Sequence, residues 1–97
     1  MSEVQFKIGE NGSGVFFIEG NGERIAHMVI RVSGATLTAM HTEVLPAWRE
    51  HKLGHKLVDA MVDYARKNNL KVVPLCPFTR ATFERHPEQF ADVWEKS

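Results

Sequence analysis

Three turn signals in the first half of the chain decide what it can fold into. Asn11-Gly12-Ser13-Gly14, Gly20-Asn21-Gly22-Glu23 and Ser33-Gly34 reverse a strand tightly, because Gly and Asn accept positive φ. The segments between them have strand character. Phe6 and Ile8 alternate with polar residues, and Val15-Phe16-Phe17-Ile18 is a short apolar run. Over Ile25 to Val32, Ala26, Met28, Ile30 and Val32 share one face, and His27, Val29 and Arg31 the other. Thr36 to Val44 is rich in Thr and Val, as strands usually are. Four strands joined by tight turns predict an antiparallel meander.

Pro46 then breaks the sheet, and the pattern changes period. Leu53, Leu57, Ala60, Met61, Tyr64 and Ala65 recur at threes and fours, with Val58 and Val62 widening the stripe, which predicts an amphipathic helix over about residues 52 to 68 lying across a sheet. Asn68-Asn69 ends it. Leu70 to Leu75 reads as a buried fifth strand reached by a right-handed crossover. Pro77 opens a short helix over Phe78 to Arg85, His86-Pro87 closes it, and Phe90, Val93 and Trp94 suit a last helical turn docked by its aromatic side. The expected class is mixed α/β, of the α+β kind: a four-strand meander, a crossover helix, a fifth strand and short C-terminal helices. At 97 residues, a single domain over 1–97 is expected.

Twelve Lys and Arg balance twelve Asp and Glu, so no global field exists to hold a polyanion, and a nucleic-acid partner is not expected. The apolar runs fall far short of the roughly 20 residues of a membrane-spanning helix. Met1 to Lys7 lacks the basic and apolar stretches of a secretory signal, which makes a cytoplasmic location the expectation. The lone Cys76 agrees with a reducing compartment.

Four places carry possible chemistry. Arg49-Glu50-His51-Lys52-Leu53-Gly54-His55-Lys56 stands where a strand feeds a helix, so backbone N–H groups and the helix dipole converge there. Arg49, Lys52 and Lys56 oppose that dipole unless an anion sits among them, which points to an anion site. His51 and His55 stand four apart, a metal-ligand spacing on a helix, but no third ligand is evident and no metal is predicted. Cys76 ends the fifth strand just before a helix whose N-terminus would favour thiolate. His41 and Glu43 are read as sharing a face of strand four with Ala39 and Leu37, a histidine base with a carboxylate to orient it or to accept a substrate amine. If strands four and five are adjacent, His41 and Cys76 meet at the mouth of one crevice.

Met40-His41-Thr42-Glu43-Val44, then Arg49 through Leu57, then Val72-Val73-Pro74-Leu75-Cys76-Pro77-Phe78 and Glu84-Arg85-His86-Pro87 together resemble the minimal branch of the GNAT superfamily of acetyl-CoA-dependent N-acetyltransferases. The resemblance implies acetyl-CoA as cosubstrate, its pantetheine arm paired with the strand carrying Thr42, Val44 and Leu45. Its pyrophosphate would lie on the loop from Arg49 through Glu50, His51, Lys52, Leu53, Gly54 and His55 to Lys56. Cys76 and His41 match the family's residues near the thioester, with Glu43 beside them, and the thiol's role as acyl carrier or as acid stays open. Glu50 and Lys52 stand where the family's loop has glycines, leaving Gly54. The implied activity is acetyl transfer to an amine of a small molecule or peptide by a monomer or weak homodimer. The alternative is a non-catalytic CoA- or nucleotide-binding module of the same fold. A structural partner domain, drawing on Trp48 and Trp94 as exposed aromatics, is a third reading.

Overall fold

The computed structural model describes residues 3–95; Met1 and Ser2, read above for a targeting signal, lie outside the described residues. Five strands form one sheet in the order β1-β2-β3-β4-β5: β1 Val4–Ile8, β2 Ser13–Gly20, β3 Glu23–Ser33, β4 Thr36–Val44 and β5 Lys71–Pro74. The first four are antiparallel neighbours, and β5 runs parallel to β4. The Asn21-Gly22 turn has φ of 54° and 81° at its two central residues, the conformation a two-residue hairpin needs to match strand twist. A short 3-10 helix, Pro46–His51, follows β4, and then come helices α1 Leu53–Lys67, α2 Pro77–Arg85 and α3 Pro87–Phe90. The 3-10 turn was not expected from sequence. Among the described residues no helix is long and apolar enough to cross a membrane.

The stripe of α1 buries Leu53, Leu57, Val58, Met61, Val62 and Ala65 against Phe16, Ile18, Met28, Ile30, Leu37, Ala39 and Val72 of the sheet. Each full-sized aliphatic side chain so buried contributes about 1.5–3 kcal/mol. Tyr64 of α1 packs edge-on to Phe16, and its ring lies 4.7 Å from that of Phe6. The C-terminal segment closes the far edge. Phe83 stacks on Phe90 at 4.5 Å and meets Trp94 edge-on. Val72 donates its N–H to Val93 O and accepts from Glu95 N–H, so the tail pairs with the free edge of β5. Arg66 grips Asp92 through two hydrogen bonds, Nε to Oδ2 at 2.8 Å and Nη2 to Oδ1 at 3.1 Å. Trp48 and Trp94, read as exposed, are partly buried against the core, which removes the observation behind a structural partner domain.

One departure from strict alternation matters most. Val29 stands opposite His41 and Ile30 opposite Ala39, so Met40 is an extra residue in β4, a β-bulge. A one-residue insertion flips every later side chain to the other face. Leu37 and Ala39 face α1, but His41 and Glu43 do not share their face as expected: they pair with Val29 and His27 on the opposite one. Thr42 takes the inner face, opposite Met28.

Phe83 is fully buried and holds α2, α3 and the tail together. Phe83→Ala should therefore lower the unfolding free energy by about 3–5 kcal/mol in urea denaturation. A loss below 1 kcal/mol would show that the tail docks without it.

Candidate active site

The site begins where β4 and β5 part. They pair only over Thr36–Ala39 against Lys71–Pro74. Pro74 has no N–H to give, Leu75 N–H turns back to Val73 O, and Cys76 N–H makes the last bond between the strands, to Ala39 O at 2.8 Å. Beyond that point the bulged half of β4, Met40 to Val44, has a strand partner on the β3 side alone. Its other edge is the wall of a cleft of about 370 Å³ lined by Thr42, Glu43, Val44, Arg49, Lys52, Gly54, His55 and Phe78.

The floor of the cleft is the start of α1. This helix has no side-chain cap, and its first intrahelical bond is donated by Lys56 N–H, to Lys52 O, so the N–H groups of Leu53, Gly54 and His55 have no helical partner. Lys52 enters the helix with φ 57° and ψ 35°, the left-handed conformation that glycine adopts without cost. The backbone thus takes the bend that a glycine-rich loop provides, although the side chain there is lysine. At Gly54 a Cβ would lie 2.8 Å from the tip of the Phe78 ring, so any larger residue would require that ring to move. Glu50 is exposed on the 3-10 turn and is not part of the lining.

Of the predicted cofactor-binding residues, Thr42, Val44, Arg49, Lys52, Gly54 and His55 come together around the cleft. Leu45, Glu50, His51, Leu53 and Lys56 are not in its lining, and Leu53 is a core residue. His51 and His55 do not share a helix face, because the left-handed residue Lys52 separates the 3-10 turn from α1. His51 packs near Trp48 and His55 edge-on to Phe78.

Cys76 does not neighbour His41 in one crevice. Its thiol donates to Thr42 Oγ1 at 3.1 Å, on the inner face, while His41 stands on the other side of β4. Cys76 is also the N-cap residue of α2 and only 2% exposed. Burial pushes its thiol pKa up. The Thr42 hydroxyl, the N–H and hydroxyl of Thr79 and the Phe78 N–H more than offset this and bring the thiol below its ordinary value. Apart from this interaction with Cys76, the buried Thr79 Oγ1 has no hydrogen-bond partner among the described residues, which leaves its proton available to a thiolate. Sequence reading missed Thr79; the signal was a hydroxyl three residues after a helix-capping cysteine. It also missed His27, whose Nε2 lies 3.8 Å from Glu43 Oε1, with His41 Nε2 at 3.7 Å.

Residues 15–93 match the family model of the GCN5-related N-acetyltransferases. The solution structure of a GCN5-like protein of the N-acetyltransferase type from Staphylococcus aureus superposes with a TM-score of 0.72 at 30% identity, covering 100% of this chain and 93% of that one. The crystal structure of a ribosomal-protein-alanine N-acetyltransferase from Brucella melitensis biovar Abortus superposes with a TM-score of 0.67 at 15% identity, over 78% of this chain and 64% of that one. No curated protein matches the sequence.

Two measurements check this geometry. The thiolate absorbance of Cys76, followed as pH rises, should give an apparent pKa below that of a free cysteine, and Thr42→Val and Thr79→Val should each move it upward; a wild-type value at or above the ordinary one would refute the balance described. Lys52→Gly should raise the thermal midpoint, because the left-handed cost of about 1–2 kcal/mol exceeds glycine's unfolded-chain entropy of about 0.4–1 kcal/mol. A lower midpoint would mean that the Lys52 side chain itself holds the turn.

Proposed function

We propose that this chain, which belongs to the GCN5-related N-acetyltransferases, takes acetyl from acetyl-CoA held in the cleft between β4 and β5 and gives it to an amine arriving from the His41 face. N-acetyl transfer is the activity of the family. The observation that carries the finer reading is the unpaired edge of β4 leading straight to the uncapped start of α1.

The residues present fit such a cosubstrate. An extended chain of amides can add to a free strand edge as a further strand would, here along Thr42 to Leu45. The free N–H groups of Leu53, Gly54 and His55, with Arg49 and Lys52 beside them, suit a pyrophosphate. Acetyl-CoA supplies an acyl group already activated as a thioester. His41, with Glu43 Oε1 3.7 Å away, is positioned to accept the proton that the amine loses as its bond to carbon forms. Cys76 holds a proton on Sγ, directed at Thr42 Oγ1, and would deliver it to the departing sulfur as the carbon–sulfur bond breaks. Its lowered pKa makes it a better donor, and Thr79 stands ready to hold the resulting thiolate. The acceptor is an amine of a small molecule or peptide, and a reducing cytoplasm would keep Cys76 as the thiol this step requires. A non-catalytic binding module of the same fold is not favoured, since the cleft is lined by Thr42, which accepts from the Cys76 thiol, and by Glu43, whose Oε1 lies 3.7 Å from His41 Nε2.

Titration calorimetry with acetyl-CoA tests this reading. Saturable binding at micromolar concentration, about 8 kcal/mol, is expected. Arg49→Ala should weaken it about tenfold, roughly 1.4 kcal/mol, and leave the melting temperature nearly unchanged, because Arg49 is exposed. Cys76→Ala should lower turnover by about 10²-fold or more without changing binding. No binding at millimolar ligand would overturn the proposal.

A further inference from the structure

We propose that His27, His41 and Glu43 form a binding site for a divalent first-row transition metal, with zinc as its representative, on the face of the sheet away from α1. The Met40 bulge is what assembles it. Without the extra residue, His41 and Glu43 would follow Ala39 in phase and point the other way. With it, Glu43 stands directly across the ladder from His27, and His41 is the next residue on that face.

The three donors are close but do not satisfy one another. Glu43 Oε1 is 3.8 Å from His27 Nε2 and 3.7 Å from His41 Nε2, both beyond hydrogen-bond length. One donor atom from each residue lies within 4.8 Å of the other two. The imidazole rings are 5.8 Å apart and tilted by 51°, so they are not stacked. In a tetrahedral site with metal–ligand bonds of about 2.0–2.2 Å, neighbouring donors stand about 3.4 Å apart. Small side-chain rotations bring this trio to that spacing, and the backbones that carry it are held by strand pairing. Such preorganisation is what distinguishes it from two histidines and a glutamate scattered over a loop.

The donor set selects the ion. Two imidazoles and one carboxylate suit zinc, copper and their neighbours, whereas calcium and magnesium require more oxygens. Three protein ligands leave a fourth position for water or an exogenous ligand.

Calorimetric titration of the full chain with zinc at neutral pH should give one ion per chain. Cobalt in its place should show the visible absorption of a low-coordinate site. His27→Asn, His41→Asn and Glu43→Gln should each weaken zinc binding by about tenfold or more, with melting curves of the metal-free proteins checking that they fold. In the wild-type chain, independent of any variant, cobalt should broaden the ring resonances of His27 and His41 before those of His51, His55 and His86. His51→Ala with His55→Ala, and Cys76→Ser, should leave the affinity unchanged. Absence of saturable zinc binding, unchanged affinity in the three ligand variants, or loss of binding in either control would overturn the site. A bound ion would occupy the lone pairs assigned above to proton acceptance, so zinc should also slow acetyl transfer. That consequence rests on the proposed mechanism: binding without inhibition would overturn the role of His41 and leave the metal site standing.

Discussion

One inserted residue organises the functional half of this protein. A strand with a strict period of two would carry Leu37, Ala39, His41 and Glu43 on the core face, where an imidazole and a carboxylate would have to be buried beside α1. Met40 absorbs one residue, half exposed, and so returns the polar pair to solvent while Thr42 turns inward. The bulge also falls where β5 stops pairing with β4, just after Ala39. The same defect therefore sorts the chemistry by face: a hydroxyl and a thiol meet on the inner side, and imidazoles and a carboxylate gather on the outer.

The parting of β4 and β5 has its own local cause. Proline at position 74 removes a ladder donor, the Leu75 N–H folds back on Val73, and Cys76 spends its N–H on Ala39. After this the chain enters α2 through Pro77, a residue suited to the first position of a helix. An unpaired strand edge is ordinarily a liability for aggregation. Here it stands across a cleft from the start of α1, so the free edge is one wall of a cleft rather than part of an open surface.

Much of this was legible in the sequence, and the failures have a common origin. The turn residues fixed four strands, and the change of period after Pro46 located α1 to within a residue at either end. These signals are local. The bulge is not: Met40 is an unremarkable strand residue, and only the pairing of β4 with β3 reveals that one position is surplus. Every misplacement of a catalytic candidate follows from it, including the expected meeting of His41 with Cys76 and the omission of His27. The second failure, reading His51 and His55 as one helical pair, arose because a lysine in a left-handed conformation gives no sequence signal of a break.

That lysine shows how a loop can keep its shape after losing its glycines. The bend into α1 requires positive φ at position 52 and close approach at position 54, but these are different demands. At 54 a Cβ would meet the Phe78 ring at 2.8 Å, so glycine is what leaves that ring in place. At 52 the side chain is exposed at the cleft, and the backbone cost of a lysine there is conformational. A cation at the mouth of an uncapped helix N-terminus opposes the helix dipole, and bound phosphate would relieve both that repulsion and the unmet N–H groups. The conformational cost falls on the empty and the occupied loop alike, since both need the bend, so glycine would relieve it in both, whereas the charge of the lysine would favour only the loop with an anion in place.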